Sequence, residues 1–136
     1  MLKAEYIVFC EEVQEGRIGP SLLRTFDALY ALESDLPAQK KDFIAYIRIR
    51  SHGKKLVNAD LNLRLVVEFE EQVMWERNLE FKNMTLDENH SFDLQIDFQD
   101  LVFKKYGTYY FKIEKDGSAQ TVSTLLVSPP TEIIER

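Results

Sequence analysis

The chain has 136 residues, of which 45% are hydrophobic and 29% are charged, and its formal net charge at pH 7 is −6. This composition is typical of one globular domain large enough to bury a core, and it excludes a disordered or fibrous chain. The negative charge argues against nucleic acids and anionic membranes as partners, because both attract clustered positive charge.

The N-terminal region contains an apolar run from Tyr6 to Cys10. Residues 3–13 are predicted to form a strand, and apolar side chains on both of its faces indicate a central, well-covered position. The run is too short for a signal peptide or a membrane span. The single cysteine, Cys10, excludes an internal disulfide, so we expect a cytoplasmic protein. Glu15-Gly16 and Gly19-Pro20 indicate a turn after this strand.

Residues 21–33 fit two kinds of element. Leu22, Phe26 and Leu29 lie at helical spacing, and Ser21 after Pro20 is a candidate helix N-cap. Read as a strand, the segment has one apolar face, interrupted only by Arg24, that contains Leu22, Phe26, Ala28, Tyr30 and Leu32. Periodicity slightly favours a helix, but we predict a strand because of a resemblance given below.

The middle of the chain is predicted to form four alternating strands. A polar loop at residues 34–41 precedes them, a turn at residues 52–55 separates the first two, and a loop covers residues 84–90. The strands cover residues 42–51, 61–70, 73–82 and 91–98. Their predicted inward side chains are Phe43, Ala45, Ile47 and Ile49; Leu61, Leu63, Leu65, Val67 and Phe69; Val73, Trp75, Leu79 and Phe81; and Phe92, Leu94, Ile96 and Phe98. Arg77 interrupts the third set, which indicates a rim or a bulge.

Residues 101–117 contain an approach loop, a glycine corner at Gly107, a strand and a hairpin turn. Tyr109, Phe111 and Ile113 are predicted to face inward, because they alternate with more polar residues. Asp116-Gly117 is typical of a two-residue type I′ turn. The hairpin partner is residues 118–127, with Val122, Leu125 and Val127 as its apolar side chains.

About eight strands with short loops predict an all-β fold, a single antiparallel β-sandwich that is immunoglobulin-like or C2-like. The predicted domain covers residues 1–128. Pro129-Pro130 ends it, and residues 129–136 are expected to form a C-terminal tail.

Two groups of motifs carry a resemblance to a known family. The first contains Ala4-Glu5-Tyr6, Phe9 to Val13, Ser21-Leu22 and Phe26-Asp27, and the second contains Leu101-Val102-Phe103, Gly107 to Ile113 and Asp116-Gly117. With these motifs the chain resembles a family of small, mainly bacterial β-sandwich proteins that are described as domains of unknown function. The resemblance implies that the segment from Ser21 to Leu32 is a strand that pairs with the first strand. It implies no activity, cofactor or catalytic residue.

Metal-ligating residues are present, but their spacing does not indicate a site. His52 and His90 lie in predicted loops, without a second histidine or a cysteine at ligand spacing. A calcium site would need several oxygen ligands that converge from the loops at one end of a sandwich. The candidates are Asp60, Asp87, Glu88, Asn89, Asp100 and Asp116. They lack the spacing of an EF-hand loop, and Asp116 fits the role of a turn residue. We therefore predict no metal site, with a calcium site as the alternative.

No catalytic motif is visible. Cys10 lies in an apolar strand, where cysteine is usually inert, and no nucleophile elbow or phosphate-binding glycine loop occurs. Among the paired carboxylates Glu11-Glu12, Glu70-Glu71 and Asp87-Glu88, only the loop pair is expected to converge, because adjacent strand residues face opposite ways. We predict that the protein is not an enzyme and has no cofactor.

Basic residues offer a weak indication of an anion-binding or nucleic-acid surface. If residues 42–51 and 61–70 pair as a hairpin, Arg48, Arg50 and Arg64 share an outer face beside Tyr46. Glu68 and Glu70 would share that face, so a cross-strand charge ladder is the favoured interpretation. Lys104-Lys105 and Tyr106 are expected to be solvated in a loop.

A protein-contact face is the remaining candidate. Outward-facing Tyr46, Val66, Met74 and Tyr110 would make one face more apolar than exposure requires, which fits a homo-oligomer or protein-partner contact. Alternatively, the tail or a helical 21–33 segment covers that face. The sequence thus favours a non-catalytic binding or assembly module. The first alternative is a C2-like or carbohydrate-type module that binds calcium or a small ligand at its loop ends, and the second is an enzyme of unrecognised type.

Overall fold

The structure is a computed structural model that describes residues 2–40 and 43–130. These residues form an all-β fold of ten strands and one short 3-10 turn at Glu33–Asp35. The strands are β1 (Leu2–Cys10), β2 (Glu12–Glu15), β3 (Pro20–Leu23), β4 (Ala28–Tyr30), β5 (Phe43–Ser51), β6 (Leu56–Phe69), β7 (Gln72–Leu86), β8 (Ser91–Phe98), β9 (Gly107–Lys115) and β10 (Ser118–Ser128).

The strands belong to three sheets. One has the order β1-β5-β8, the second has the order β4-β10-β9-β6-β7, and β2 and β3 form a separate two-stranded sheet. The predicted all-β class is confirmed. The finer prediction, one antiparallel sandwich of about eight strands, differs from the ten strands observed in three sheets, and β4 pairs with β10 in parallel. An immunoglobulin-like or C2-like relationship stays a prediction.

The two larger sheets share one hydrophobic core. Phe9 of β1 lies 4.6 Å from Phe111 of β9, and Phe98 of β8 lies 4.7 Å from Trp75 of β7, measured between ring centroids. The inward sets predicted for β5, β6 and β9 are buried in this core, as predicted. Each of these strands therefore buries alternate side chains, which is the pattern that fixes its register.

The N-terminal part differs from its prediction in two respects. First, β1 ends at Cys10 and pairs within its sheet only with β5, so it is an edge strand and not a central one. Second, residues 21–33 form no α-helix and contribute to two separate strands, β3 and β4. Their predicted pairing with residues 3–13 is observed in part: Glu12 and Val13 of β2 pair with Leu23 and Leu22 of β3, and Phe9 forms an isolated bridge with Phe26, whereas β4 pairs with β10.

Strand β7 departs from simple alternation because of a bulge. Its register with β6 shifts between Val67 and Glu68, which pair with Trp75 and Val73 and leave Met74 as the extra residue. Val73 therefore lies on the outer face with Glu68, so its predicted inward position is wrong. Arg77 is exposed on β7, the edge strand of its sheet, which fits the predicted rim position, and its guanidinium lies 4.9 Å from the Trp75 ring. β7 also extends to Leu86, into the predicted 84–90 loop.

Two hairpin turns connect the long strands of the five-stranded sheet. Asp116-Gly117 joins β9 to β10 with positive φ at both residues, 52° and 79°, which confirms the predicted type I′ geometry. Glu70-Glu71 joins β6 to β7 with φ of 51° and 64° although neither residue is glycine. The second turn thus uses glutamates in a conformation that favours asparagine and glycine.

Replacing Glu71 by glycine is expected to raise the free energy of unfolding by about 0.5–1 kcal/mol, because glycine removes the left-handed backbone strain. Urea denaturation followed by tryptophan fluorescence measures the change. The matched control is Glu80→Gly, at an exposed position within β7, which is expected to destabilise the protein. Equal destabilisation by both substitutions would contradict the assigned turn.

The C-terminal boundary is described only in part. Strand β10 ends at Ser128, and Pro129 and Pro130 follow it without regular structure. The last six residues of the predicted tail, 131–136, lie outside the described residues. So do residue 1 of the predicted domain, residue 41 of the predicted loop and residue 42 of the predicted 42–51 strand. The tail therefore stays a prediction.

Candidate functional site

The outer face of the five-stranded sheet carries exposed apolar side chains. Tyr110 is 43% exposed and Leu126 is 44% exposed, because each alternates with core residues of its strand and so faces away from the core. Val73 is 51% exposed and lies on this face through the bulge of β7. Tyr30, at the β4 edge, is 63% exposed. We call these four side chains the Tyr110 face.

Strand register brings the Tyr110 face together. Glu68 pairs with Val73 on one side and with Tyr110 on the other, so all three share a cross-strand row. Tyr110 pairs in turn with Thr124 of β10, and Leu126 lies two residues further along that strand. Side chains in such neighbouring positions lie close enough to form one continuous surface. The face therefore extends from β7 to β4, with the charged Glu68 of β6 between Val73 and Tyr110.

Ion pairs flank the Tyr110 face. Arg64 of β6 bonds Glu76 of β7 and Glu114 of β9, the latter at 2.6 Å. Lys112 of β9 donates to Glu68 of β6 at 2.9 Å. These contacts form a cross-strand charge ladder of the predicted kind, although the partners of Arg64 lie on β7 and β9.

Three of the four residues predicted for the contact face do not contribute exposed apolar surface to it. Val66 is 0% exposed, since it lies between Glu76 and Lys112 on the neighbouring strands and within the charge ladder. Tyr46 belongs to the other large sheet and is 5% exposed. Met74 is the bulge residue and packs against the core. Only Tyr110 is exposed as predicted.

The strand pairing that would bring the three arginines onto one face does not occur. Strands β5 and β6 do not pair, and they belong to different sheets. Arg48 and Arg50 therefore lie on the three-stranded sheet, whereas Arg64 lies on the five-stranded sheet. Each arginine has a carboxylate partner; that of Arg50 is Glu5, at 2.8 Å. No anion-binding surface follows from these residues.

Asp93 organises the outer face of the three-stranded sheet. It accepts two bonds from Arg48, from Nε at 2.9 Å and from Nη2 at 3.0 Å, and a third from the hydroxyl of Tyr46. The Arg48 guanidinium lowers the pKa of the Asp93 carboxyl. Burial, together with the hydrogen bond to Asp93, raises the pKa of Tyr46 to about 12. Every polar group in this cluster has a partner, which indicates a structural role.

Replacing Asp93 by asparagine is expected to lower the free energy of unfolding at pH 7 by about 1–3 kcal/mol, because Tyr46 and Arg48 lose a charged acceptor. The folded-state pKa of Asp93 lies below its unfolded value of about 3.9. The stabilisation is therefore present above that pH and is lost as the pH falls through the folded-state pKa. Urea denaturation from pH 7 downward measures this loss.

The control for Asp93 is Asp97→Asn on the same strand, whose side chain has no ion-pair partner among the described residues. The stability difference between the unmodified protein and Asp93→Asn should stay constant above about pH 5 and shrink below it. A difference that persists unchanged at the lowest pH would contradict the assigned ion pair.

The predicted calcium ligands are dispersed through the fold. Asp60 accepts a bond from the Asn83 amide, and Asp100 accepts one from the Trp75 indole at 2.8 Å. Asp116 lies in the β9–β10 turn, while Asp87 lies 3.6 Å from Lys55 and 4.0 Å from His90. Within residues 2–40 and 43–130, no three histidine, cysteine or carboxylate side chains are grouped so that they could hold a metal ion.

Two other sequence interpretations can be compared with the structure. Cys10 is buried, and its burial raises the pKa of the thiol. Glu11 and Glu12 do converge, contrary to the prediction, because the chain bends between β1 and β2 and both carboxylates bond Arg24. Lys40 also bonds Glu11. The hydrogen bond from Lys40, which has the largest effect, and the one from Arg24 lower the pKa of the Glu11 carboxyl.

In the loop at residues 104–106, Lys104 and Lys105 are exposed as predicted, whereas Tyr106 is half-buried. The Tyr106 hydroxyl donates to the Ala31 carbonyl at 2.6 Å, which fixes the loop to the chain segment after β4. Lys105 lies 3.9 Å from Glu70, and both side chains are exposed. Tyr106 therefore has a structural role at this end of the fold.

A protein-family model matches residues 5–128, and its description is a family of unknown function (DUF6941). The chain belongs to this family. The resemblance carried by the N-terminal and C-terminal motifs is thereby confirmed, whereas a bacterial origin stays a prediction. A search of curated proteins found no match.

The regular structure of the described residues consists of strands and one short 3-10 turn. In the part of the chain that the structure describes, no helix has the length and apolar character needed to cross a membrane.

Proposed function

We propose that this protein is a non-catalytic, cytoplasmic binding or assembly module that acts through protein–protein contacts, and that the Tyr110 face is its contact surface. The observation that carries the proposal is the exposure of two tyrosines and two aliphatic side chains on one face of one sheet. Tyrosine is enriched at protein interfaces because its ring buries a large apolar area while its hydroxyl remains solvated.

A second copy of the chain is the partner that the electrostatics support best. The charges beside the Tyr110 face are already paired within the sheet, Arg64 with Glu76 and Glu114, and Lys112 with Glu68. Such a face needs no oppositely charged partner. Two copies related by a two-fold axis can therefore bring the same patch together without strong like-charge repulsion.

Replacing Tyr110 by lysine is expected to weaken self-association at least about tenfold, because a charged side chain would have to be desolvated in the contact. Light scattering over a range of protein concentrations measures the effect. The unmodified chain should approach twice its 15.9 kDa mass at high concentration, while the variant remains monomeric.

The matched control is Gln95→Lys, at an exposed position on the outer face of the three-stranded sheet, and it should associate like the unmodified chain. An unmodified chain that is monomeric at every concentration would contradict a homo-oligomer. Equal loss of association in both variants would contradict the assignment to the Tyr110 face.

The calcium alternative is tested by thermal denaturation with calcium chloride and then with a chelator. We expect the melting temperature to stay unchanged, because the candidate oxygen ligands are dispersed. A rise with calcium that the chelator reverses would overturn the purely protein-binding proposal, since a ligand that binds only the folded state stabilises it.

A further inference from the structure

A groove with a cavity volume of about 490 Å³ lies beside β4, at the edge of the five-stranded sheet. All three residues of β4 line it, together with Phe26, the buried Phe103 and the charged residues Glu11, Arg24 and Lys40. A mainly apolar concavity with a few charged groups is the usual form of a binding site.

The open edge of β4 borders this groove. The Asp27 carbonyl accepts from the Leu126 amide at 3.3 Å, and the Ala31 amide donates to the Ser128 carbonyl at 3.1 Å. Backbone groups alternate in direction along a strand, so those of Ala28 and Tyr30 point away from β10. Among the described residues, the backbone amide and carbonyl groups of Ala28 and Tyr30 have no hydrogen-bond partner. A sheet edge with such free groups is a template for a further strand.

The charged side chains in the groove include more positive than negative groups. Lys40 donates to Glu11 at 2.8 Å, and Arg24 also bonds Glu11 and, outside the lining, Glu12. The Lys40 ammonium lies 5.0 Å from the centroid of the Phe26 ring. Because an ammonium has three donors and a guanidinium five, both cations retain donors for a further carboxylate.

We propose that the groove binds an extended peptide segment that adds as a strand to the edge of β4 and places a carboxylate side chain at Lys40 and Arg24. The Ala28 and Tyr30 backbone supplies the hydrogen bonds, and the half-buried ring of Phe26 contacts an apolar side chain of the peptide. This is the strand-addition mode of recognition, in which main-chain bonds give affinity and side-chain pockets give specificity. The groove shares Tyr30 with the Tyr110 face, but it does not include Tyr110 and does not depend on self-association.

The first test measures the affinity of two fluorescein-labelled peptides by fluorescence polarisation. One peptide alternates valine with glutamate, and the other alternates valine with lysine. The glutamate peptide is expected to bind the unmodified protein at least about tenfold more tightly than the lysine peptide. In Lys40→Glu this preference should be lost or reversed, because the variant places two carboxylates in the groove. Equal binding of the two peptides, or no saturable binding, would overturn the proposal.

The control variant is Lys105→Glu, which changes the net charge equally at an exposed position away from the groove. It should keep the preference of the unmodified protein, and loss of the preference in this variant would show that net charge alone controls binding. The variant Tyr110→Lys should also bind the glutamate peptide normally, so a failure of the Tyr110 face and a failure of the groove are distinguishable.

The second test does not need a stable variant. Hydrogen exchange of the unmodified protein, with and without the glutamate peptide, is measured at individual backbone amides by NMR. Strand addition should slow exchange at Ala28 and Tyr30, whereas the Leu29 amide, which faces β10, should change little. Slower exchange confined to amides outside the groove would contradict the proposal.

Discussion

Replacing Phe43 by alanine is expected to lower the free energy of unfolding by about 3–5 kcal/mol, the cost typical of removing a large aromatic side chain from a core. The Phe43 ring lies 4.7 Å from Phe98 and 5.7 Å from Phe9, measured between centroids. It also contacts the rings of Phe26, Phe103 and Phe111. The substitution would leave a cavity among five aromatic rings that lie on several strands and loops.

Urea denaturation at pH 7, followed by the fluorescence of Trp75, measures this loss. Because single domains of this size are stable by about 5–15 kcal/mol, the variant should remain folded but unfold at much lower urea concentration. The control is Phe81→Ala, since Phe81 is only half-buried and has one ring contact, with Phe92. A loss for Phe43 no larger than that for Phe81 would contradict its central position.

Replacing Gly107 by alanine is expected to cost about 2–4 kcal/mol, because backbone strain and steric overlap add. Gly107 has a φ of +139°, a region that is essentially restricted to glycine. A Cβ at this position would lie 2.7 Å from Cε1 of Phe69. The Phe69 ring in turn stacks on Tyr109 at 4.3 Å between centroids, so it has little freedom to move aside.

Gly53→Ala is the control for the Gly107 effect. Gly53 has a φ of +66°, but an added Cβ would have no atom within 4 Å, so only backbone strain of about 1 kcal/mol is expected. Thermal and urea denaturation of both variants give the difference, which reports the contact with Phe69 together with the greater backbone strain at a φ of +139°. Equal destabilisation of the two variants would contradict the close approach of Gly107 to Phe69.

The strands that alternate strictly were predictable from the sequence. Leu61, Leu63 and Leu65 of β6 are buried because the period of a strand is two residues, and the same rule holds for β5 and β9. The turn at Asp116-Gly117 was also predictable, because these residues accept positive φ. Local backbone chemistry determines both features, so no knowledge of distant contacts was needed.

Features that depend on distant pairings were not predictable. Val73 moves to the outer face because Met74 forms a bulge, and nothing in the local pattern distinguishes this bulge from continued alternation. Residues 21–33 divide into β3 and β4 because their partners lie on β2 and β10. Strands β5 and β6 are consecutive in the chain, but they do not pair, because their partners lie on other strands. Arg48 and Arg50 therefore lie on a different sheet from Arg64.

The candidate contact surface was therefore only partly predictable. Tyr110 was correctly placed, because it alternates with the buried Tyr109 and Phe111. Leu126 lies on the predicted β9–β10 hairpin, whereas Tyr30 joined the face only through the parallel pairing of β10 with β4, for which the sequence offers no signal. The alternation of side chains along β6 places Val66 on the outer face, but the ion pairs around it exclude solvent from its side chain.

A dilution series of two-dimensional NMR spectra tests the role of the Tyr110 face most directly. Assigned amide signals of the unmodified chain would be recorded from high to low protein concentration. We predict concentration-dependent shifts centred on Tyr110, Thr124 and Leu126, with little change on the outer face of the three-stranded sheet. Signals that do not change with concentration, or changes confined to the sheet of Arg48 and Asp93, would contradict a contact through the Tyr110 face.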